Sequence, residues 1–461
     1  MIFSGVPERT KDNNWPALDA AMSSSLHWVV SGGHGSDTER SAHPPILKTM
    51  HRATLMGLLM VVATGCQVTR ALKQPIPASA PIGVADERTE RIGKTIQDVM
   101  RKEGIPGLSI AVIDGGELVW AQGFGWRDLQ QRLPVDTDTQ FQAGSISKPV
   151  TALAVLGLGA AGRVCFDSDV NLYLKGWRLD SRFTNTVTLR QLLSHRAGMV
   201  PQGFLGSRER SRVLTSLQVL KRREPVVSWL TGHLLGTIKV VKPPGSGFKY
   251  SGGGYCVVQK AVEDVTGQPF EAAMDELLLQ PVGMTRSTFQ QPPQDTNNIA
   301  CGYGWTKTVL GGGRWRVFPE KAPAGLRTTP ADLARLIVAV QKANAGERAG
   351  PVSPAIAREF LKPQFDSFMG TGVFLDEKGD YHGFFHAGEN PGYLARFGAG
   401  ISNGRGWVIM TNGEKDRFGP ILEAVFQEFG PVWKPRAEPG TFSGRGDRLS
   451  VPCRTSLAPR H

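Results

Sequence analysis

The sequence lacks the cysteine spacing of a metal or redox site. Its five cysteines, Cys66, Cys165, Cys256, Cys301 and Cys453, include no Cys-x-x-Cys pair, and such a pair is typical of zinc sites and thioredoxin-like motifs. We therefore expect neither a bound metal nor another cofactor. Cys256 and Cys301 leave two alternatives open, which are a disulfide formed in an oxidising compartment and a pair of buried free thiols.

The sequence also lacks blocks of like charge and apolar runs long enough to span a membrane. The formal net charge is +12, but the basic residues are scattered and do not interleave with aromatic residues, which argues against a nucleic-acid partner. Excess positive charge instead favours an anionic surface or substrate. With 40% hydrophobic and 20% charged residues, the composition is that of a soluble globular protein.

An export signal is predicted near the N-terminus. Residues 1–49 show neither helical nor strand periodicity, so we expect them to be disordered or untranslated, with Met1 and Met50 as alternative start codons. Residues 50–65 combine a short basic start, an apolar run too short to span a bilayer, and small residues before Cys66. This segment resembles a bacterial lipoprotein signal, which implies lipid attachment at Cys66 and a membrane-anchored protein facing the periplasm or cell surface. A short buried helix followed by a free thiol is the other interpretation.

The order of the predicted elements indicates an α/β protein of the α+β type. Strands are predicted in residues 87–160 and again in residues 300–432, whereas residues 161–299 are mainly helical. We therefore expect a mostly antiparallel sheet built from N- and C-terminal segments, flanked by helices, with an inserted helical lobe. Residues 66–86 are predicted to be a linker and residues 433–461 a disordered tail.

A Ser-x-x-Lys pattern lies in residues 141–150. Ser145 and Lys148 stand three residues apart, on one face of a helix, and a lysine beside a serine can activate this weak nucleophile. Apolar residues after Lys148 predict a buried helix with Ser145 at its positive N-terminus. Ser246 and Lys249 have the same spacing, but their Pro- and Gly-rich surroundings exclude a regular helix. A solvent-facing serine is the plain alternative for Ser145.

Two further stretches offer a phenol and an imidazole. Tyr250 precedes a glycine-rich stretch that we expect to be a flexible turn, and His386 follows a predicted strand that can line a cleft. Taken alone, each is more simply a packed tyrosine or a strand-end histidine. Beside Lys148, however, a phenolate is stabilised by the ammonium, while burial removes charge from the lysine. Such a coupled pair can take the serine proton and return it to a leaving group.

The combined motifs resemble those of the β-lactamase-related serine hydrolases. The chain carries Ser-x-x-Lys, Tyr-Ser-Gly and His-Ala-Gly in that order, with Leu-Leu-Ser-His-Arg-Ala-Gly at residues 192–198. The group includes class C β-lactamases, D-alanyl-D-alanine carboxypeptidases, D-aminopeptidases and esterases. The resemblance covers residues 87–430 and implies a β-lactamase/transpeptidase-like fold.

The resemblance also implies roles for single residues. Ser145 would be the acyl-accepting nucleophile, Lys148 and Tyr250 would share its proton, and the backbone N–H groups of Ser145 and Glu389 would form the oxyanion hole. The substrate-binding residues implied by the second and third motifs are Ser251, Gly252, His386, Ala387 and Gly388.

Two departures from the motifs weaken a β-lactamase assignment. Gly252 stands where those enzymes usually have Asn, and His386-Ala387-Gly388 stands where they usually have Lys-Thr-Gly, whose Lys and Thr hold the substrate carboxylate. Gly252 and Ala387 offer no side-chain hydrogen bond, and His386 anchors a carboxylate less well than lysine, even where a raised pKa gives it some charge.

From the sequence we therefore expect an exported serine hydrolase that forms an acyl-enzyme on Ser145 with an ester or a D-amino-acid peptide. Its partners would be that substrate, the membrane through the Cys66 lipid, and the cell wall. Two alternatives are a penicillin- or cell-wall-peptide-binding lipoprotein without turnover and a class C-like β-lactamase.

Overall fold

The structure, a computed structural model, describes residues 75–432. Gaps in this range are residues 205, 207–213, 222–225, 228–233, 236, 305–313, 366–367 and 377–381. Four predictions therefore lie outside the described residues: the disordered or untranslated segment 1–49, the signal peptide 50–65, the lipidation site Cys66 and the tail 433–461. Residues 66–74 of the predicted linker 66–86 lie outside them as well.

One eight-stranded antiparallel sheet forms the centre of the fold. Its strands are β1 (Ile82–Gly83), β2 (Gly107–Asp114), β3 (Glu117–Asp128), β4 (Leu133–Pro134), β11 (Phe374–Asp376), β12 (Gly383–Asn390), β13 (Tyr393–Gly400) and β14 (Gly406–Thr411). The strand order is β1-β3-β2-β14-β13-β12-β11, and β4 pairs with β3. Because β2 pairs with β14, the sheet joins N- and C-terminal segments. This topology confirms the predicted fold class.

In the described ranges, three pairs of two-residue strands lie outside the main sheet. They are β5 (Phe141–Gln142) with β10 (Arg327–Thr328), β6 (Met199–Val200) with β9 (Lys239–Val240), and β7 (Val226–Val227) with β8 (Leu234–Leu235). The β5–β10 pair is the one that matters for the site, since β5 leads directly into the turn that carries Ser145.

The helices are distributed along the whole described chain. They are α1 (Glu87–Glu103), α2 (Ser147–Ala160), α3 (Leu189–Leu193), α4 (Ser216–Lys221), α5 (Gly252–Thr266), α6 (Phe270–Met274), α7 (Gln280–Val282), α8 (Lys321–Ala324), α9 (Pro330–Asn344), α10 (Pro354–Leu361) and α11 (Gly419–Phe429). Single turns of 3₁₀-helix occur at Gly144–Ile146 and Val170–Tyr173, and a π-helical turn occupies Asp275–Leu279.

Helices cover the sheet because its strands are apolar on both faces. Strand β2 is buried along nearly its whole length, as expected for a strand that packs against helices on either side. Helix α9 packs against β2, β3 and β14. Helices α1 and α11 pack together and are joined at the surface by Arg91 and Glu428, whose Nε and Oε1 atoms lie 2.6 Å apart.

Helix α2 is buried on almost every side, which follows from its composition. Apolar side chains occur around its whole circumference, and a helix of that kind belongs in a protein interior. The buried helix predicted after Ser145 is therefore confirmed, and its burial carries Lys148 into the interior, where the side chain is 2% exposed.

The region predicted to be an inserted lobe, residues 161–299, consists of short helices and loops around α5. The described residues, this region included, all fall within one compact unit. The sequence interpretation was wrong about residues 252–254, because the three glycines form the first turn of α5 and not a flexible turn. The Ser251 side chain caps that helix by accepting a hydrogen bond from the Gly254 N–H, as serine does before many helices.

Within the described ranges, no helix combines the length and the apolar character required to cross a bilayer.

Candidate functional site

Ser145 lies in the 3₁₀ turn between β5 and α2, and buried hydrogen bonds hold that turn in place. The Ser147 hydroxyl donates to the Gly144 carbonyl at 2.6 Å and accepts from the Leu326 N–H at 3.0 Å. The Ala143 N–H in turn donates to the Leu326 carbonyl. Ser145 itself is only partly buried, so a rigid support presents its hydroxyl at an accessible position.

Strand β12 approaches this turn so closely that two glycines are required. A Cβ atom on Gly388 would lie 1.8 Å from the Ala143 carbonyl oxygen, and one on Gly144, whose φ is +52°, would lie 2.5 Å from the Glu389 nitrogen. In the described residues, β11 pairs with β12 only as far as Phe385, so the following part of that edge is open to the turn. The backbone of Glu389 is therefore brought against the turn that carries Ser145.

Lys148 contacts Ser145 from the interior. Its Nζ atom donates to Ser145 Oγ and to the Pro323 carbonyl oxygen, both at 2.9 Å. Burial lowers the pKa of Lys148 to about 7, although the interaction with Cys256 acts in the opposite direction. A neutral amine is therefore accessible near neutral pH, with its lone pair available to the serine proton.

Tyr250 lies on the other side of Lys148, directly before the helix cap Ser251. Its ring centroid is 4.8 Å from Lys148 Nζ. Burial raises the pKa of Tyr250 well above its ordinary value, and the neighbouring Ser145 hydroxyl offsets only part of that rise. Within the described part of the chain, the phenol oxygen is buried without a partner at standard hydrogen-bond geometry. At neutral pH the phenol is therefore protonated, and Lys148 is the better base of the pair.

His195 supports Tyr250 and was not assigned a site role from the sequence. It lies in the 192–198 stretch, its Nδ1 accepts the Ser251 N–H at 3.1 Å, and its ring centroid is 4.2 Å from that of Tyr250. Burial lowers its pKa well below the ordinary value, with Lys148 and His386 adding to the effect. The match of residues 192–198 to the family motifs could have pointed to His195 as a site residue. The contact between His195 and Tyr250, however, cannot be inferred from their spacing in the sequence.

His386 lies on β12 and is 2% exposed. Alternation along the strand places it on the same face as Gly388, which abuts the Ser145 turn. Burial lowers the pKa of His386 to about 3, and nearby Lys148 acts in the same direction. The raised pKa that would give His386 some positive charge is therefore not found, because burial and the neighbouring amine both oppose protonation.

The remaining predicted substrate-binding residues serve the supporting structure in different ways. Ser251 caps α5, and Gly252 packs so that a Cβ atom would lie 2.9 Å from the Phe204 ring. Ala387 is buried on the face of β12 opposite His386, and its carbonyl contacts the His386 ring. The structure thus brings together the side chains of Ser145, Lys148, Tyr250 and His386 with the backbone of Gly388 and Glu389.

Cys256 and Cys301 are both buried free thiols, which decides between the two alternatives left open above. Among the described residues, no three His, Cys, Asp or Glu side chains are grouped so that they could hold a metal ion.

The model of the family described as Beta-lactamase matches residues 92–426. The chain belongs to the beta-lactamase family. This match spans most of the chain and contains every residue of the site described above. It confirms the resemblance that the order of motifs indicated.

Curated relatives within the beta-lactamase family match over shorter stretches. The chain is 25% identical over 221 residues to Protein flp of Staphylococcus aureus (strain N315), covering 48% of this chain and 42% of flp. It is 31% identical over 198 residues to Esterase EstB of Burkholderia gladioli, covering 42% of this chain and 50% of EstB. The matched part of the chain thus spans about half the length of these relatives or less.

A solved structure shares the fold. The D-amino acid amidase from Ochrobactrum anthropi SV3, complexed with L-phenylalanine, superposes with a TM-score of 0.58 at 21% identity, covering 74% of this chain and 99% of the amidase. At this identity the likeness shows the fold alone.

Proposed function

We propose that this member of the beta-lactamase family is a serine hydrolase that forms an acyl-enzyme on Ser145, with esters or D-amino-acid peptides as substrates. The observation that carries the proposal is the 2.9 Å contact between Ser145 Oγ and a lysine whose pKa is lowered to about 7. A serine hydroxyl needs such a base within hydrogen-bond reach to act as a nucleophile.

Acylation begins when neutral Lys148 takes the Ser145 proton and Oγ forms a bond to the substrate carbonyl carbon. The negative charge that develops on the carbonyl oxygen is stabilised by the backbone N–H groups of Ser145 and Glu389, a contribution worth about 3 kcal/mol for each donor in comparable enzymes. Tyr250 donates its proton to the leaving oxygen or nitrogen as the carbon–heteroatom bond breaks, and the Lys148 ammonium restores that proton.

Deacylation reverses these roles with water as the nucleophile. Water loses a proton to the Tyr250–Lys148 pair, its oxygen attacks the acyl carbon, and the bond to Ser145 Oγ breaks with return of the proton to the serine. The products are the free acid and the regenerated hydroxyl.

The choice of substrate rests on the third motif and on the relatives. His386 is neutral, so it does not replace the lysine that holds a carboxylate in β-lactamases. The named relatives include an esterase, and a structural neighbour is a D-amino acid amidase. These observations favour an esterase or D-amino-acid peptidase over a class C-like β-lactamase.

Turnover and adduct mapping on the full-length protein test this proposal. We expect multiple turnovers with p-nitrophenyl esters or D-alanine peptides and an acyl adduct on Ser145, both lost in Ser145→Ala. Ser246→Ala is the matched control, because this exposed serine has the same Ser-x-x-Lys spacing. A single burst without turnover would support the binding-lipoprotein alternative, and an adduct that persists in Ser145→Ala would overturn the proposal.

We also propose that the protein is exported and anchored to the membrane by a lipid on Cys66, which would bring it near the cell wall. The support is the sequence of residues 50–66. Incorporation of a fatty-acid analogue that is lost in Cys66→Ala and retained in Cys453→Ala is the expected result. Equal incorporation in the two variants would contradict it.

A further inference from the structure

Two buried imidazoles flank the catalytic pair and have opposite tautomers. His386 Nδ1 lies 2.6 Å from the Ala387 carbonyl oxygen, and a carbonyl only accepts, so Nδ1 carries the proton. His195 Nδ1 instead accepts the Ser251 N–H at 3.1 Å, so its proton is on Nε2. The backbone contacts therefore assign an acceptor lone pair to His386 Nε2.

That acceptor is an unsatisfied group in the interior. His386 is 2% exposed, and its Nε2 has no hydrogen-bond partner among the residues that the structure describes. Buried polar atoms are almost always paired, and one left unpaired at a candidate site indicates a role for it. Among the described residues, the Tyr250 hydroxyl and His195 Nε2 are also without a partner at standard hydrogen-bond geometry. Three groups of the same site thus lack the partners that a bound substrate could provide.

One aromatic ring lies against both the His386 and the Tyr250 side chains. The Phe374 ring centroid is 5.2 Å from that of His386 and 6.4 Å from that of Tyr250. Phe374 is partly exposed at the start of the short strand β11. Phe374 therefore lies next to both of these unpaired groups and reaches the surface.

Two cations near this part of the site have partners. Lys148 Nζ donates to Ser145 and to the backbone of Pro323. Arg396 is paired with Asp416 and with Glu389, on the face of β12 opposite His386. A carboxylate placed beside His386 would therefore face a lone pair in place of a cation, without recovering the cost of its own desolvation.

We propose that the leaving-group side of the site takes an uncharged hydrogen-bond donor, a terminal carboxamide, which donates to His386 Nε2, and that it rejects a terminal carboxylate. This inference rests on the proposed hydrolase function and on the position of the third motif, where related enzymes hold the substrate carboxylate. His386 is thus a specificity-determining residue, and peptide amides are the favoured substrate class.

A matched pair of peptides tests the inference on the full-length enzyme. N-acetyl-D-alanyl-D-alaninamide and N-acetyl-D-alanyl-D-alanine share the scissile bond and differ only in the terminal group. We expect kcat/KM to favour the amide by at least about tenfold, the discrimination typical of a buried polar group that one substrate leaves unpaired.

Variants separate the acceptor from general effects on the site. His386→Leu keeps an apolar interior and removes the acceptor, so the ratio should fall at least about fivefold through slower hydrolysis of the amide. His386→Lys supplies a cation and should invert the ratio. His382→Lys is the matched control, since it adds the same charge at an exposed position before β12 and should leave the ratio unchanged.

The outcomes distinguish this inference from the proposal beneath it. A wild-type ratio near one, a preference for the carboxylate, or a ratio that His386→Leu leaves unchanged overturns the inference. Hydrolysis of p-nitrophenyl acetate with neither peptide cleaved also overturns it, while the hydrolase proposal stands. If the wild-type protein hydrolyses neither the ester nor either peptide, both the hydrolase proposal and the inference that rests on it are overturned.

Discussion

Lys148 Nζ and Ser145 Oγ lie 2.9 Å apart, and two successive elements of the chain hold them there. The 3₁₀ turn fixes the serine, while the buried helix α2 fixes the lysine against the Pro323 carbonyl. Because α2 is apolar on all sides, its lysine has lost most of its hydration. Proximity and desolvation together make the pair reactive.

The first prediction concerns pH. Lys148 acts as a base only when neutral, and its pKa is lowered to about 7. We therefore expect kcat/KM for an uncharged ester to rise as pH increases through about 7 and to level off above it. Tyr250 stays protonated throughout, because burial raises its pKa. The rate of Ser145→Ala is subtracted as the background at each pH. A rising limb centred near pH 10.4, the ordinary pKa of lysine, would contradict this assignment.

The second prediction concerns His195 as a positioning residue. His195→Leu leaves the Ser251 N–H buried and unpaired, which should lower the free energy of unfolding by about 1–3 kcal/mol. His195→Asn keeps an acceptor and should lose less. We expect the leucine variant to lower kcat more than it raises KM and to leave the lower pH limb in place, since Lys148 is retained. If both variants kept the stability and the kcat of the wild-type enzyme, the positioning role would be excluded.

The third prediction concerns the contact between β12 and the Ser145 turn. Gly388→Ala places a methyl group 1.8 Å from the Ala143 carbonyl oxygen, so the strand must move away from the turn. Displacing one oxyanion donor costs about 10²–10³ in kcat, and we expect a loss of that size. Gly157→Ala is the control, because no atom lies within 4 Å of the added carbon, and it should stabilise α2 by about 0.5–1 kcal/mol. Activity of Gly388→Ala near wild type would refute the predicted geometry.

Local patterns in the sequence determined much of the fold. The apolar run after Ser145 predicted α2. Likewise, the Asp114-Gly115-Gly116 sequence after β2 is typical of the tight turn that joins β2 to β3, and the Thr188 capping box is typical of a helix start such as that of α3. These features depend on neighbouring residues only, so they can be inferred from spacing. The glycines at 252–254 misled the same reasoning, because tertiary packing against Gln202 and Phe204 stabilises a helix that their low propensity opposes.

The sequence by itself also determined which residue types the site contains and the order in which they occur. Only the tertiary structure decided their ionisation and their partners. The pKa of Lys148, the neutral state of His386 and the contact of His195 with Tyr250 all depend on burial and on groups far away along the chain. Desolvation and hydrogen bonds between residues distant in the sequence depend on how the interior packs. A local sequence pattern does not contain that information.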